Sequence, residues 1–123
     1  MNPPQLRYRR AWIAAIWMLV IAIAVLSLMP QPGLKSVPLA DKIGHLCAYF
    51  ALAVLGSAVV TEDKLPRVMI WAIVLGLFIE GAQMLFTRTR SGEWADVLAN
   101  TGGVAAAWLL VRGRAGWAAQ AEA

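Results

Sequence analysis

Within 123 residues, a small set of polar side chains has the chemistry and the spacing of a site. Asp41, His45 and Ala48 follow i, i+4, i+7, and so do Asp96, Asn100 and Gly103. Gly76, Glu80, Gln83 and Thr87 follow i, i+4, i+7, i+11. On helices each set lies along one face. Lys42, Arg88 and Arg90 lie close by. Carboxylates beside an imidazole can move protons, with Glu80, His45 and Asp96 as candidates, while lysine and arginine can hold an anionic group or stabilise developing negative charge. Asp41, His45, Glu80 and Asp96 can also be read as divalent-metal ligands. They come from three segments and match no close-spaced ligand motif, so no metal or cofactor is expected. No serine or cysteine stands in a recognisable nucleophile arrangement.

The elements that must position these groups are membrane spans. A chain that is 60% hydrophobic and 15% charged has more apolar surface than one small soluble core can hide. Four segments, about 11–29, 43–60, 68–86 and 94–111, approach the roughly 20 residues that cross about 30 Å of hydrocarbon. Short connections hold Pro30, Pro32, Gly33 and Pro38, then Pro66, then Ser91 and Gly92. The expectation is an all-α integral membrane four-helix bundle formed by one domain, residues 1–123. The fourth span is short and carries Asn100, Thr101, Gly102 and Gly103, so it should depend on its neighbours. The first has basic residues before an apolar run, like a signal peptide, but its core is too long and it ends in SLMPQPG; it reads as a retained span.

Orientation follows from Lys and Arg beside the spans. With a cytoplasmic N-terminus, the inside holds Arg7, Arg9, Arg10, Lys64, Arg67, Arg112 and Arg114, and the outside holds Lys35, Lys42, Arg88 and Arg90. Both termini are therefore expected inside, and the polar groups all gather toward the extracytoplasmic face. The net charge of +4 then reflects topology and attraction to anionic lipid, not nucleic-acid binding. Trp12, Trp94 and Trp117 fall near span ends, where aromatic belts form, and Trp17, Trp71 and Trp108 lie deeper. Cys47 reads as a small packing residue. Helical rise puts Glu80 about 9 Å below Phe86, and His45 and Asn100 each about 6 Å below Asp41 and Asp96, so these groups can meet in one layer. A charged Glu80 facing lipid would cost a few kcal/mol or more, so it should turn inward toward His45, Lys42 or Arg90. Asp41 and Asp96 also suit helix N-caps, Gln83 and Asn100 suit interhelical hydrogen bonds, and Gly102 and Gly103 with Ala106 and Ala107 suit close helix approach.

The run DKIGHLCAYF, followed by IEGAQ and then RSGEWADVLANTGG, resembles the VanZ-like family of small multi-span bacterial membrane proteins, named after a teicoplanin-resistance protein. The motif falls on Asp41, Lys42, His45, Tyr49, Glu80, Gln83, Arg90, Asp96, Asn100 and Gly103. The FTRTR turn departs from it by lacking a proline often found before the arginine. The resemblance implies a multi-pass protein of the bacterial cytoplasmic membrane with a role in the cell envelope or glycopeptide resistance; it implies no particular reaction. From the residues, three functions are open. One is recognition of a polar group of an envelope lipid, cell-wall precursor or glycopeptide by Asp41, Lys42, His45, Glu80, Gln83, Arg90, Asp96 and Asn100. Another is acid/base modification of such a headgroup. The third is proton-coupled export, against which the one-sided polar layer argues. The oligomeric state is left open.

Overall fold

The computed structural model describes residues 6–29, 38–86 and 94–121. Four helices, each long and apolar enough to cross a membrane, make up nearly all of it: α1 (Leu6–Leu28), α2 (Pro38–Ala58), α3 (Leu65–Phe86) and α4 (Trp94–Ala121). No strand occurs among the described residues. A short 3-10 turn, Glu62–Lys64, leads into α3, so α2 and α3 are joined within a few residues and must run antiparallel.

The helices differ at their ends from the spans expected from hydropathy. Helix α2 begins at Pro38, the preferred first-turn position for a residue without an N–H, and thereby takes in Asp41 and Lys42. Helix α3 begins at Leu65, with Pro66 in its first turn rather than in a connection. Helix α4 runs ten residues past Val111, through Arg112 and Arg114, because its alanine-rich continuation holds no proline and favours helix whether or not lipid surrounds it. Asp41 and Asp96 consequently sit in the first turns of α2 and α4 rather than at their caps. A carboxylate there is favoured by the positive end of the helix dipole.

Burial is distributed as a bilayer demands. Large apolar side chains point outward, among them Phe78, Leu98 and Leu109, while Ser27, Ser57, Glu80, Gln83, Asp96 and Asn100 are buried beside a core of Tyr49, Leu52, Ala53, Ala72, Ile79, Val104 and Ala107. In water this would invert the usual economy of surface and core; in lipid it places every costly group away from hydrocarbon. Trp12, Trp17, Trp71 and Trp94 are exposed on the outer surface, and Trp108 is half-buried with the Arg112 guanidinium 5.0 Å above its ring. Trp117's side chain lies outside the described residues. Cys47 is exposed and does not pack between helices.

The most extensive interface joins α2 and α4. Its closest approach is at Gly103, which is buried; a Cβ there would lie 2.2 Å from the Leu46 carbonyl oxygen and 2.9 Å from the Phe50 nitrogen. Only glycine lets the two backbones meet so closely. Ala107, one turn on, is fully buried on the same stripe. Gly102 and Ala106, equally small, are exposed, and a Cβ on Gly102 would meet nothing within 4 Å, so the packing stripe is Gly103 and Ala107.

Candidate functional site

Four helix ends converge at one end of the bundle: the last turn of α1, the first turns of α2 and α4, and the C-terminal third of α3. That end holds the polar groups. The opposite end is marked by a cavity of about 240 Å³ lined by residues including Ser57, Leu65, Val111 and Arg114.

The site grades from a half-open rim to a closed floor. Asp41 and Lys42 form the rim, with side chains 20% and 24% exposed, and His45 lies a turn deeper at 9%. Asp96, Glu80, Asn100 and Tyr49 are all buried. At the rim, the Lys42 ammonium donates to Asp96 Oδ1 and lies 3.7 Å from Asp41 Oδ2. One lysine thus bridges a carboxylate from α2 and one from α4, which ties together the two helices that Gly103 brings close. The other two carboxylate oxygens, Asp41 Oδ1 and Asp96 Oδ2, each stand 4.0 Å from His45 Nε2.

His45 is the centre of the layer. Its Nδ1 pairs with Asn100 Oδ1 at 2.9 Å and lies 3.9 Å from Glu80 Oε1. An amide oxygen accepts, so in this contact Nδ1 is the donor and Nε2 is the ring nitrogen turned toward the two aspartates. Beneath it, Gly76 makes room: a Cβ there would lie 3.2 Å from both Asn100 Nδ2 and Tyr49 Cε1. Tyr49 Oη and Asn100 Nδ2 are buried and have no hydrogen-bond partner among the described residues. Such donors are costly in hydrocarbon unless something accepts from them.

The layer therefore unites Asp41, Lys42, His45, Glu80, Asp96 and Asn100 from three helices. Gln83 is placed differently. Its side chain, 1% exposed, donates from Nε2 to the Ser27 carbonyl oxygen at 2.6 Å, so it ties α3 to α1. Ser27 itself was not singled out in the sequence; its signal was no more than one hydroxyl residue in an apolar run. Arg88 and Arg90 lie outside the described residues. Chemically, the described layer brings three carboxylates, one lysine and one imidazole together, groups that can donate, accept and transfer protons. Asp41, His45 and Asp96 each bring one polar atom within 4.8 Å of the other two.

Comparison with known proteins agrees with this architecture. No curated protein and no solved structure matches the chain. A family model described as VanZ/LLP1 matches residues 5–115, which take in the first three spans, most of the fourth and the whole polar layer, and the chain is therefore a membrane protein of the VanZ/LLP1 family.

Proposed function

We propose that this protein binds a polar group of an envelope lipid or cell-wall precursor in the layer around His45, on the extracytoplasmic side of a bacterial cytoplasmic membrane, with both termini inside. The observation that carries this reading is the concentration of Asp41, Lys42, His45, Glu80, Asp96 and Asn100 at one end of the bundle, with two buried donors, Tyr49 Oη and Asn100 Nδ2, still to be satisfied. A bundle that needed only to hold together would be served by the apolar core and the Gly103 stripe. Polar groups spread from rim to floor suit a headgroup that enters from the water and exchanges hydration for protein hydrogen bonds.

Native mass spectrometry of the protein with defined lipids of each headgroup class tests this directly. The parent should retain a lipid of one class, and Glu80→Gln should retain none above the level of the others. Equal retention of every class by both proteins would remove the reading.

A second reading, acid/base modification of the same headgroup, is favoured by the placement of His45 within 4.0 Å of Asp41, Glu80 and Asp96. Incubation with the retained lipid separates the two: a binder returns it unchanged, and an enzyme changes its mass.

A further inference from the structure

We infer that Tyr49 Oη and Asn100 Nδ2 form a two-donor seat for one uncharged carbonyl oxygen, the ester carbonyl of a glycerolipid whose headgroup lies at the rim. The inference rests on the reading of this layer as a headgroup site and commits that site to a lipid.

The two donors are orphaned in the folded chain. Both residues are almost wholly buried, at 1% and 2% exposure, and neither atom has a hydrogen-bond partner among the described residues. Packing does not call for the hydroxyl. A phenylalanine at 49 would fill the same space and leave nothing to satisfy, so the hydroxyl lowers stability until an acceptor reaches it. Asn100 has its oxygen engaged by His45 Nδ1 at 2.9 Å, which fixes the amide and leaves Nδ2 as its open end.

The donors share one niche. A Cβ on Gly76 would lie 3.2 Å from Asn100 Nδ2 and 3.2 Å from Tyr49 Cε1, the ring carbon next to the one that bears the hydroxyl. The amide and the hydroxyl end of the ring therefore flank a single point, and glycine at 76 leaves that point uncovered. Glu80, one turn along α3, has its Oε1 3.9 Å from His45 Nδ1 and further contacts of its own, so it is not counted in the pair.

Chemistry and depth select the guest. Both donors are neutral, so an anion drawn to them would exchange its hydration for two uncharged hydrogen bonds, and an ammonium or a hydroxyl would bring a further donor. A carbonyl oxygen brings two lone pairs and nothing else to satisfy. Along α2, Tyr49 sits about 12 Å below Asp41, and its side chain leans back toward the rim, as helical side chains lean toward the N-terminus. In a glycerolipid the ester carbonyls are the first polar atoms beneath the headgroup. A headgroup held at Asp41, Lys42 and His45 thus brings a carbonyl down to the floor.

The test is native mass spectrometry of the full chain with diacyl phosphatidylethanolamine and phosphatidylglycerol and with their dialkyl ether analogues, matched in headgroup and chain length. The expected result is about fivefold or greater retention of the ester over the ether form by the parent, and a ratio near one for Tyr49→Phe. Thermal unfolding of both proteins, freed of lipid in dodecyl maltoside, which has no carbonyl, supplies a second readout. Tyr49→Phe should unfold at the parent's temperature or above it, because it discards an unsatisfied hydroxyl and no contact. Equal retention of ester and ether by the parent, or an ester preference that survives in Tyr49→Phe, overturns the seat. So does a lower midpoint for Tyr49→Phe, which would mean that the hydroxyl already donates to a buried water. The headgroup reading fails separately. Headgroup selectivity without ester preference removes the seat and keeps that reading, and ester preference blind to the headgroup does the reverse. With no phospholipid retained, the seat falls and the headgroup reading passes to the cell-wall precursors.

Discussion

Glu80 and Gln83, one helical turn apart in GLFIEGAQMLF, do different work, and two substitutions tell them apart. Glu80 faces His45 at the floor of the layer. Glu80→Gln keeps the shape, removes the charge and spares the helix contacts, so it should leave abundance and helicity unchanged while abolishing headgroup retention; a variant that still retains lipid would place the site elsewhere. Gln83→Leu removes the hydrogen bond to the Ser27 carbonyl, which at interhelical values costs about 1 kcal/mol. It should lower stability in a denaturing-detergent titration by about that amount and leave lipid retention intact. Loss of retention with unchanged stability would return Gln83 to the site. From the sequence, both residues stand on one polar stripe, and the stripe was legible because an interrupted apolar run has only a few explanations. His45, one of the three candidates for Glu80, does stand beside it at 3.9 Å, but the other pairings were not legible. Lys42 pairs with Asp96 rather than with Glu80, and Gln83 with a backbone carbonyl that any residue at position 27 would supply. No spacing within one helix reports such pairings, since they depend on how deeply each helix sits against the next.

Depth is set at the scale of elements, and here largely at one glycine. With Gly103 against Leu46 and Phe50, the α2 and α4 first turns fall level, which is what lets Lys42 reach Asp96 and His45 reach Asn100. Gly103→Leu should force the helices apart, since the obstruction is backbone and cannot swing away, at a cost of about 1–3 kcal/mol or more. A cysteine pair placed at rim positions 42 and 96 should cross-link readily in the parent background and poorly with Gly103→Leu. Equal cross-linking would mean that the register is held by something other than this contact. Four spans could be read from hydropathy, while their ends could not. Hydropathy records where apolar residues stop, and these helices continue through Asp41 and Lys42 at one terminus and through Arg112 and Arg114 at another, because backbone hydrogen bonds and helix propensity do not end at the lipid boundary.

For the whole molecule, the central relation is between a buried polar layer at one end and an apolar outer surface. Phe78 is 73% exposed where Glu80, two residues on, is 4% exposed. That contrast within a single turn is what a lipid-facing helix with a functional inner face looks like. The excess of Lys and Arg beside the N-terminus, the 61–67 segment and the C-terminal end of α4 is the basis for proposing that this side is cytoplasmic, and with it that the polar layer faces outward. A thiol introduced in the 30–37 or 87–93 segment, in a chain with Cys47 replaced by alanine, should react with a membrane-impermeant maleimide on intact cells, and one introduced at 62–64 should not. The opposite pattern would turn the layer to the cytoplasm and remove the extracytoplasmic ligands from consideration.

The most direct measurement is the thermal unfolding midpoint of the detergent-purified protein against envelope lipids, cell-wall precursors, a glycopeptide and divalent metals, with Glu80→Gln in parallel. A ligand that binds only the folded layer must raise the midpoint. The expected result is a rise of several degrees with one headgroup class in the parent and none in Glu80→Gln. A flat response from the parent to every compound, or equal shifts in both proteins, would contradict a ligand site around His45 and leave these polar groups as the fastening of four helices.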